Sequence, residues 1–452
     1  MLTAAPVAVG VAVAALVIGV PRWLPGRVVA LRGWVFTRVN GDESIPVPGD
    51  LIGVDRFREV YSHPAASGRS RGAALSDLFW YWLSPGPEMH QEHLEAGERY
   101  DAVALVTRRI LSVPRARAEE LTRRCVARAL RDSRGVVRLR DLMMPAWAEF
   151  SYELVFGEPC PPYARDLIVG NADDVVTALK CCGLRHMDRR DRLTAYLTQS
   201  LPRVRHELPA GLTAREQALY LQGAFFNTAV VQMSEAVAHV LMALARHPDV
   251  QARARDGDDR YLDQVIAETL RLYPLFGIAH RVTTGDIPLG EGATIPAGSV
   301  LCFDYPAFHR AGFPDPERFD PGRFAPGRAP IRKLNHIPFG MPANRPCPAS
   351  RLAPLAMRVA VRETLRACRL DSTASHTRSL PNRGPCLLTP LGVARHGPGQ
   401  RLTLLFMRVR DDWEGLWRSL VQLVLGTYMV WDARRSRLCE RHFSGGAGSA
   451  GS

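Results

Sequence analysis

Three features, in order along about eighty residues, could do chemistry together. Glu268 and Arg271 stand three apart, so on a helix they share one face and can pair. The stretch Pro314-Asp-Pro-Glu-Arg-Phe-Asp-Pro-Gly-Arg-Phe324 is stiffened by prolines and offers Arg318 as a third charged partner. The stretch Phe339-Gly-Met-Pro-Ala-Asn-Arg-Pro-Cys347-Pro-Ala-Ser350 then presents one cysteine just before a helical pattern. A thiol at a helix N-terminus is biased toward the thiolate that a metal needs as ligand. Taken singly, an ExxR pair is most often solvated and a lone cysteine most often inert. The ordered set is harder to explain that way.

The elements around them read as mainly helical. Thr213-Ala-Arg-Glu216 is a capping box, and the helical pattern it opens runs to His247-Pro248. That helix would be roughly 50 Å long, enough to cross a domain. A second helix covers Tyr261–Leu272 and is stopped by Pro274. Short strands are predicted at Arg281–Thr284, Ile287–Leu289, Thr294–Ile295 and Val300–Phe303. No internal repeat is visible.

Both ends have their own character. Leu2 to Val20 is an uncharged apolar run about long enough to span a bilayer, followed by Arg22, Trp23 and Arg27. Positive charge on that side alone predicts an anchor with the main domain in the cytoplasm, a signal peptide or a buried core helix being the alternatives. Near the other end, Trp413, Leu416, Trp417, Leu420, Val424, Tyr428 and Trp431 recur at helical spacing within Asp411–Arg437. A helix packed on the core is the expectation; an interfacial membrane contact, with Arg434, Arg435 and Arg437 beyond it, is the alternative. The organisation expected is an anchor with basic flank at 1–27, a catalytic domain at 28–395, a helical extension at 396–443 and a flexible Gly/Ser/Ala tail at 444–452.

The net charge of +13 is almost all arginine, Lys180 and Lys333 being the only lysines. Scattered arginine argues against nucleic acid and is compatible with an acidic partner or anionic lipid. The nine cysteines form no CxxC or zinc pattern, which suggests reduced thiols. His90 and His93 are three apart without a third ligand and read as polar loop residues.

On these motifs the chain resembles the cytochrome P-450 (heme-thiolate) superfamily, as a divergent, bacterial-looking member, over about Pro46 to Pro390. The resemblance implies a mainly α fold with small β-sheets and a long central helix over the heme. It implies heme b with Cys347 as thiolate ligand to iron, Arg345 and Arg281 on the propionates, and Arg108 or Arg109 as a weaker third. It implies a buried ion network of Glu268, Arg271 and Arg318. The substrate space is expected along Phe79–His93, Asp174–Met187 and Gln222–Gln232, with Trp80 and Trp82 as wall or core.

The cysteine loop departs from the family pattern. It is one residue longer between Phe339 and Cys347, has Ala343 and Ala349 where glycines belong, and has Pro348, which donates no N–H to the sulfur. The acid–alcohol pair that relays protons to dioxygen is replaced by Val231 and Gln232; Thr228 lies one turn earlier. Gln232 and Thr228 are the catalytic candidates beside Cys347.

Three activities follow as expectations. The first is oxidation of a lipophilic small molecule in specialised metabolism, with ferredoxin and ferredoxin reductase as electron donors. The second is rearrangement, dehydration or O–O/N–O cleavage without external electrons. The third is a non-catalytic heme- or lipid-binding protein. A ferredoxin would dock near Arg332, Lys333, Arg345, Arg351 and Arg358, and no GxGxxG fingerprint of a fused reductase is present outside the Gly/Ser/Ala tail, where such spacing is compositional.

Overall fold

The computed structural model describes residues 4–40, 44–69, 89–92, 94–131, 133–184, 186–275, 277–290, 292–328, 333–374, 384–393 and 397–437. The predicted Trp80, Trp82, His93 and Arg332 lie outside these. In chain order, α1 (Ala4–Asn40) leads to β1 (Ile45–Val47), α2 (Phe57–Ser62) and β2 (Gly68–Arg69). Next come α3 (Glu98–Leu111), α4 (Arg115–Leu130), β3 (Gly135–Arg138), α5 (Leu139–Phe156), α6 (Pro162–Leu179) and α7 (Met187–Ser200). The central helix α8 (Ala214–Arg246) is followed by α9 (Pro248–Asp256) and α10 (Asp259–Leu272). Strands β4 (Ile278–Val282), β5 (Ile287–Gly290), β6 (Ala293–Ile295) and β7 (Val300–Asp304) precede α11 (Tyr305–Arg310). The described chain closes with α12 (Leu352–Ala367), β8 (Cys368–Asp371), β9 (Pro385–Pro390) and α13 (Pro398–Arg435).

Among the described residues, three small sheets flank the helices. The four-stranded one has the order β1-β7-β4-β2, with β1 parallel to β7 and the other pairings antiparallel. The order β3-β9-β8 makes a second, antiparallel sheet, and β5 and β6 form a hairpin.

Local chemistry explains the key helices. Helix α8 starts on the capping box, with Thr213 accepting from the Glu216 N–H and Glu216 reaching back to the Thr213 N–H. Its third and fourth turns, Gln222–Thr228, are π-helical before regular α-helix resumes. A π-bulge of this kind frequently marks a functional site. The helix is apolar enough to cross a bilayer, yet most of it is buried inside the protein. Phe225, Phe226 and Val230 meet Trp147, Tyr152 and Phe156 of α5 in the main core, the Phe156 and Phe226 rings stacking 6.3 Å apart. Helix α10 is capped by Asp258, which accepts from the Tyr261 N–H. A second core under the four-stranded sheet stacks Phe57 on Phe308 at 4.0 Å, with Tyr61 and Phe303 beside them.

Helix α1 continues unbroken past residue 27 to Asn40, so no structural break stands at the 27/28 boundary. Helix α13 buries only one face; Phe406, Trp417, Val424 and Trp431 are exposed. The expectation of a helix packed on the core holds for the face that carries Leu416, Met429 and Ala433. The apolar positions of α13 spread all round the helix, so one face cannot bury them all.

Candidate functional site

The ion pair on α10 is fully buried. Arg271 donates to both carboxylate oxygens of Glu268, Nε to Oε2 at 2.7 Å and Nη2 to Oε1 at 2.8 Å, and neither side chain has any exposed surface. This bidentate pairing is the strong form of the contact. The Asp320 N–H also donates to Oε1 of Glu268 at 2.9 Å. Arg271 lies over the Phe313 ring, 4.9 Å from its centre, and donates to the His309 carbonyl at 3.5 Å; burial pushes the basicity of the His309 ring far down.

The third charged partner is Arg323 and not Arg318. The Nε of Arg323 sits 3.4 Å from Glu268 Oε1, an ion contact rather than a hydrogen bond, while its Nη atoms donate to the Pro314 and Asp315 carbonyls. The Arg318 side chain is exposed; only its carbonyl joins the network, accepting from Arg271 at 3.4 Å. The reason is local. Asp315 adopts a left-handed φ of 45° and turns Arg318 outward. Asp320 then caps the Gly322 N–H and swings the second Pro-x-Arg-Phe run inward.

The cysteine loop is built from backbone contacts. The Cys347 N–H donates to the Phe339 carbonyl at 2.9 Å, and the Ser350 N–H to the Cys347 carbonyl at 3.2 Å. Gly340 takes a positive φ of 71°, and a Cβ there would press on the Tyr61 hydroxyl at 3.2 Å. The Asn344 amide donates to the Tyr61 and Ala66 carbonyls, tying the loop to the four-stranded sheet's core.

Burial pushes the Cys347 thiol up, a hydrogen bond from the Ala349 N–H opposes that, and Glu92 adds to the rise. The expected acidifying dipole is therefore overridden. Helix α12 begins only at Leu352, and a dipole's influence fades within about one turn.

Two predicted cationic residues converge beside this loop. Arg345, in left-handed conformation with φ 47°, is buried, donates to the Ser67 and Gln91 carbonyls and lies over the Tyr100 ring. Arg281, on β4, is buried, pairs with Glu92 at 3.1 Å and has an Nε with no hydrogen-bond partner. The Gln91 amide donates to the Pro346 carbonyl, next to Cys347, so residues 91–92 join all three. Nothing in the local sequence signalled Gln91 and Glu92; their role exists only through distant contacts. His90, also buried, accepts from the Glu92 N–H at 3.2 Å. Arg108 and Arg109 are exposed, Arg109 pairing with Glu207 at 3.7 Å, and do not join this group.

On α8, Thr228 and Gln232 are four apart and half-buried on one face, whereas Val231 is buried. Gln222 turns elsewhere and accepts from the Thr194 hydroxyl at 2.8 Å; Asn227 accepts from the Asn171 amide. Within Asp174–Met187, the Asp174 carboxylate takes the His186 N–H at 2.7 Å. Of the basic residues expected to meet an electron donor, Arg345 is interior and so removed from that surface. Lys333 and Arg351 are exposed, and Arg358 is held by Asp263 at 2.8 Å.

A network that sequence reasoning missed braces α8 one turn beyond Gln232. Glu235 meets Lys180 at 3.1 Å, Arg140 at 3.2 Å and His239 at 3.8 Å, and Arg140 also meets Asp173 at 3.0 Å. Burial alone would raise the pKa of Glu235, but the Lys180, His239 and Arg140 charges win and hold it at about 2. A folded-state value below the unfolded one stabilises the protein above about pH 4.5 and is lost as pH falls toward 2. On the order of 2 kcal/mol should be gone by pH 3. Urea midpoints at neutral pH and at pH 3 check this: Glu235→Gln should lose less on acidification than the parent, and equal losses would refute the assignment.

The cytochrome P450 family model matches residues 184–393. The putative cytochrome P450 135B1 of Mycobacterium tuberculosis is 33% identical over 190 residues, covering 38% of this chain and 39% of that protein. The cyclooctat-9-en-7-ol 5-monooxygenase of Streptomyces melanosporofaciens is 31% identical over 172 residues, covering 34% and 36%. The chain thus spans only 30% to 39% of the length of these curated relatives. Among solved structures, the retinoic acid-bound cyanobacterial CYP120A1 superposes with a TM-score of 0.60 at 19% identity, covering 74% of this chain and 87% of that one. Ligand-free cytochrome P450 OleT gives 0.61 at 17% identity, covering 75% and 88%. The chain therefore has the cytochrome P450 fold.

Proposed function

We propose that this chain is a membrane-anchored heme-thiolate enzyme that oxidises a lipophilic small molecule in specialised metabolism. The observation that carries the reading is the convergence of the Cys347 loop with two buried guanidinium groups, Arg281 and Arg345, around residues 91–92. A heme b of the heme-thiolate kind takes a cysteine thiolate as iron ligand and cations for its two carboxylates, and this donor set suits it. The buried, unpartnered Nε of Arg281 is a polar atom that a carboxylate would satisfy. When bound, the heme supplies thiolate-ligated iron for one-electron and oxygen chemistry.

The chain's own residues divide the remaining work. Cys347 ligates, with the Ala349 N–H moderating charge on its sulfur. Arg345 and Arg281 orient the group through its carboxylates. Thr228 and Gln232 hydrogen-bond what enters the half-buried face of α8. Glu268, Arg271 and Arg323 hold the supporting layer rigid.

The catalytic domain is assigned to 28–395 and the helical extension to 396–443. Helix α1, with Val9, Val13, Leu16 and Ile18 exposed, supplies the anchor, and the catalytic domain is cytoplasmic. The lipophilic substrate is supported by location and by similar proteins that act on cyclooctat-9-en-7-ol or carry retinoic acid. Ferredoxin with ferredoxin reductase is the proposed donor, docking at Lys333 and Arg351.

A second reading, rearrangement, dehydration or O–O/N–O cleavage without external electrons, is favoured by one observation. Val231 and Gln232 stand where a proton relay would, and neither side chain can pass a proton as an acid–alcohol pair does. The test is the absorption spectrum of the reduced full chain under carbon monoxide, followed by turnover with and without reductant. A strongly red-shifted Soret band with reductant-dependent turnover supports the oxidase. Turnover that ignores reductant selects the second reading. A folded chain that takes up no heme overturns both.

A further inference from the structure

Helix α13 carries a continuous apolar stripe on its outer side. Phe406, Trp413, Trp417, Val424, Tyr428 and Trp431 are all exposed, at steps of seven, four, seven, four and three. They form one line about 38 Å long. Water-facing proteins rarely leave so large a contiguous apolar surface uncovered. The opposite face of the same helix, including Leu416, Ser419, Gln422, Met429 and Ala433, is buried. The stripe is therefore what remains after α13 has packed.

Helix α13 is also tied to α1. The Trp413 indole N–H donates to the Val17 carbonyl at 3.2 Å. That carbonyl is the one left without its helical N–H by Pro21, four residues on. Arg22 meets Asp412 at 3.5 Å, and Arg32 donates to Gln422 at 2.5 Å, whose amide donates to the Lys180 carbonyl at 2.8 Å. The pair is thus fastened to itself and to the body of the protein.

Charge identifies what covers the stripe. Helix α1 bears Arg22, Arg27, Arg32 and Arg38 and no acidic residue. Three arginines lie over tryptophans of the pair: Arg27 over Trp23, Arg38 over Trp34 and Arg435 over Trp431. Tryptophan and arginine beside an apolar stripe match the boundary between anionic headgroups and acyl chains.

We propose that α13 is a second membrane element, lying flat on an anionic bilayer beside α1 with its stripe in the headgroup–acyl boundary. This goes beyond the anchoring assigned above to α1 and is separable from it. Four full-length chains are compared by co-sedimentation with vesicles of phosphatidylcholine alone or mixed equally with phosphatidylglycerol. They are the parent, Val13→Glu/Leu16→Glu in α1, Trp417→Glu/Val424→Glu in α13, and the combination. The altered positions are all more than half exposed, and circular dichroism verifies that each variant folds.

The α1 variant should keep salt-sensitive binding to the anionic vesicles, and adding the α13 changes should lower that by about tenfold or more. Equal binding of the α1 variant and the combination overturns the proposal. So does a concentration-dependent dimer, formed without lipid and abolished by the α13 changes, because the stripe is then covered by a second copy. If the α13 changes weaken binding while the α1 changes do nothing, the anchor assignment of α1 fails and this proposal stands. In the parent, brominated lipid should quench more tryptophan fluorescence than in Trp417→Phe; identical quenching also overturns it.

Discussion

Replacing Cys347 by serine is expected to give a folded chain that has lost its heme. The loop's own bonds, from the Cys347 N–H to Phe339 and from Ser350 to Cys347, involve backbone and survive the change. The side chain does not survive it in function, because a serine hydroxyl does not ionise at neutral pH and a thiolate ligand is lost. Removing hydrogen bonds around a ligand already costs about 10–100-fold in metal affinity, so removing the ligand should cost more. Heme content after reconstitution and the carbon monoxide spectrum measure this, with circular dichroism as the folding control. An unchanged red-shifted band in Cys347→Ser would exclude this cysteine as the ligand.

The second large effect is on stability. Arg271→Leu would strand the Glu268 carboxylate in a site with no water access, leaving it only the Asp320 N–H and the ion contact with Arg323. Breaking a buried pair in this way costs about 3–5 kcal/mol, a large share of the 5–15 kcal/mol that holds a typical protein. The denaturant midpoint should fall accordingly, and Glu268→Gln/Arg271→Met should fall less than the single change. The same experiment decides between the two arginines of the following loop. Arg318→Ala should stay within about 0.5 kcal/mol, as exposed substitutions do, while Arg323→Ala should be clearly destabilising. Equal effects would return Arg318 to the network.

Much of the frame was legible because it depends on near neighbours. The capping box at Thr213 and Glu216, the cap at Asp258 and the three-residue spacing of Glu268 and Arg271 are local rules, and they produce the same helix wherever it packs. The cysteine in its proline-stiffened loop was visible for the same reason. Arg318 shows where such reading fails. Two Pro-x-Arg-Phe runs lie five residues apart, and only the turns at Asp315 and Asp320 choose which arginine goes inward.

The remaining differences have one physical origin. Residue types and spacing determined the helices, their caps, the ion pair and the candidate ligand, since these follow from backbone geometry over a few residues. Burial, and everything burial controls, was decided by the tertiary structure. It raised the Cys347 thiol against a distant dipole, carried Arg345 inside and away from any docking surface, and brought Glu92 to Arg281 across 189 residues. It assembled the charges around Glu235 from three helices and left the stripe of α13 facing outward. Desolvation and long-range pairing depend on what the rest of the chain removes from water, and no local pattern encodes that.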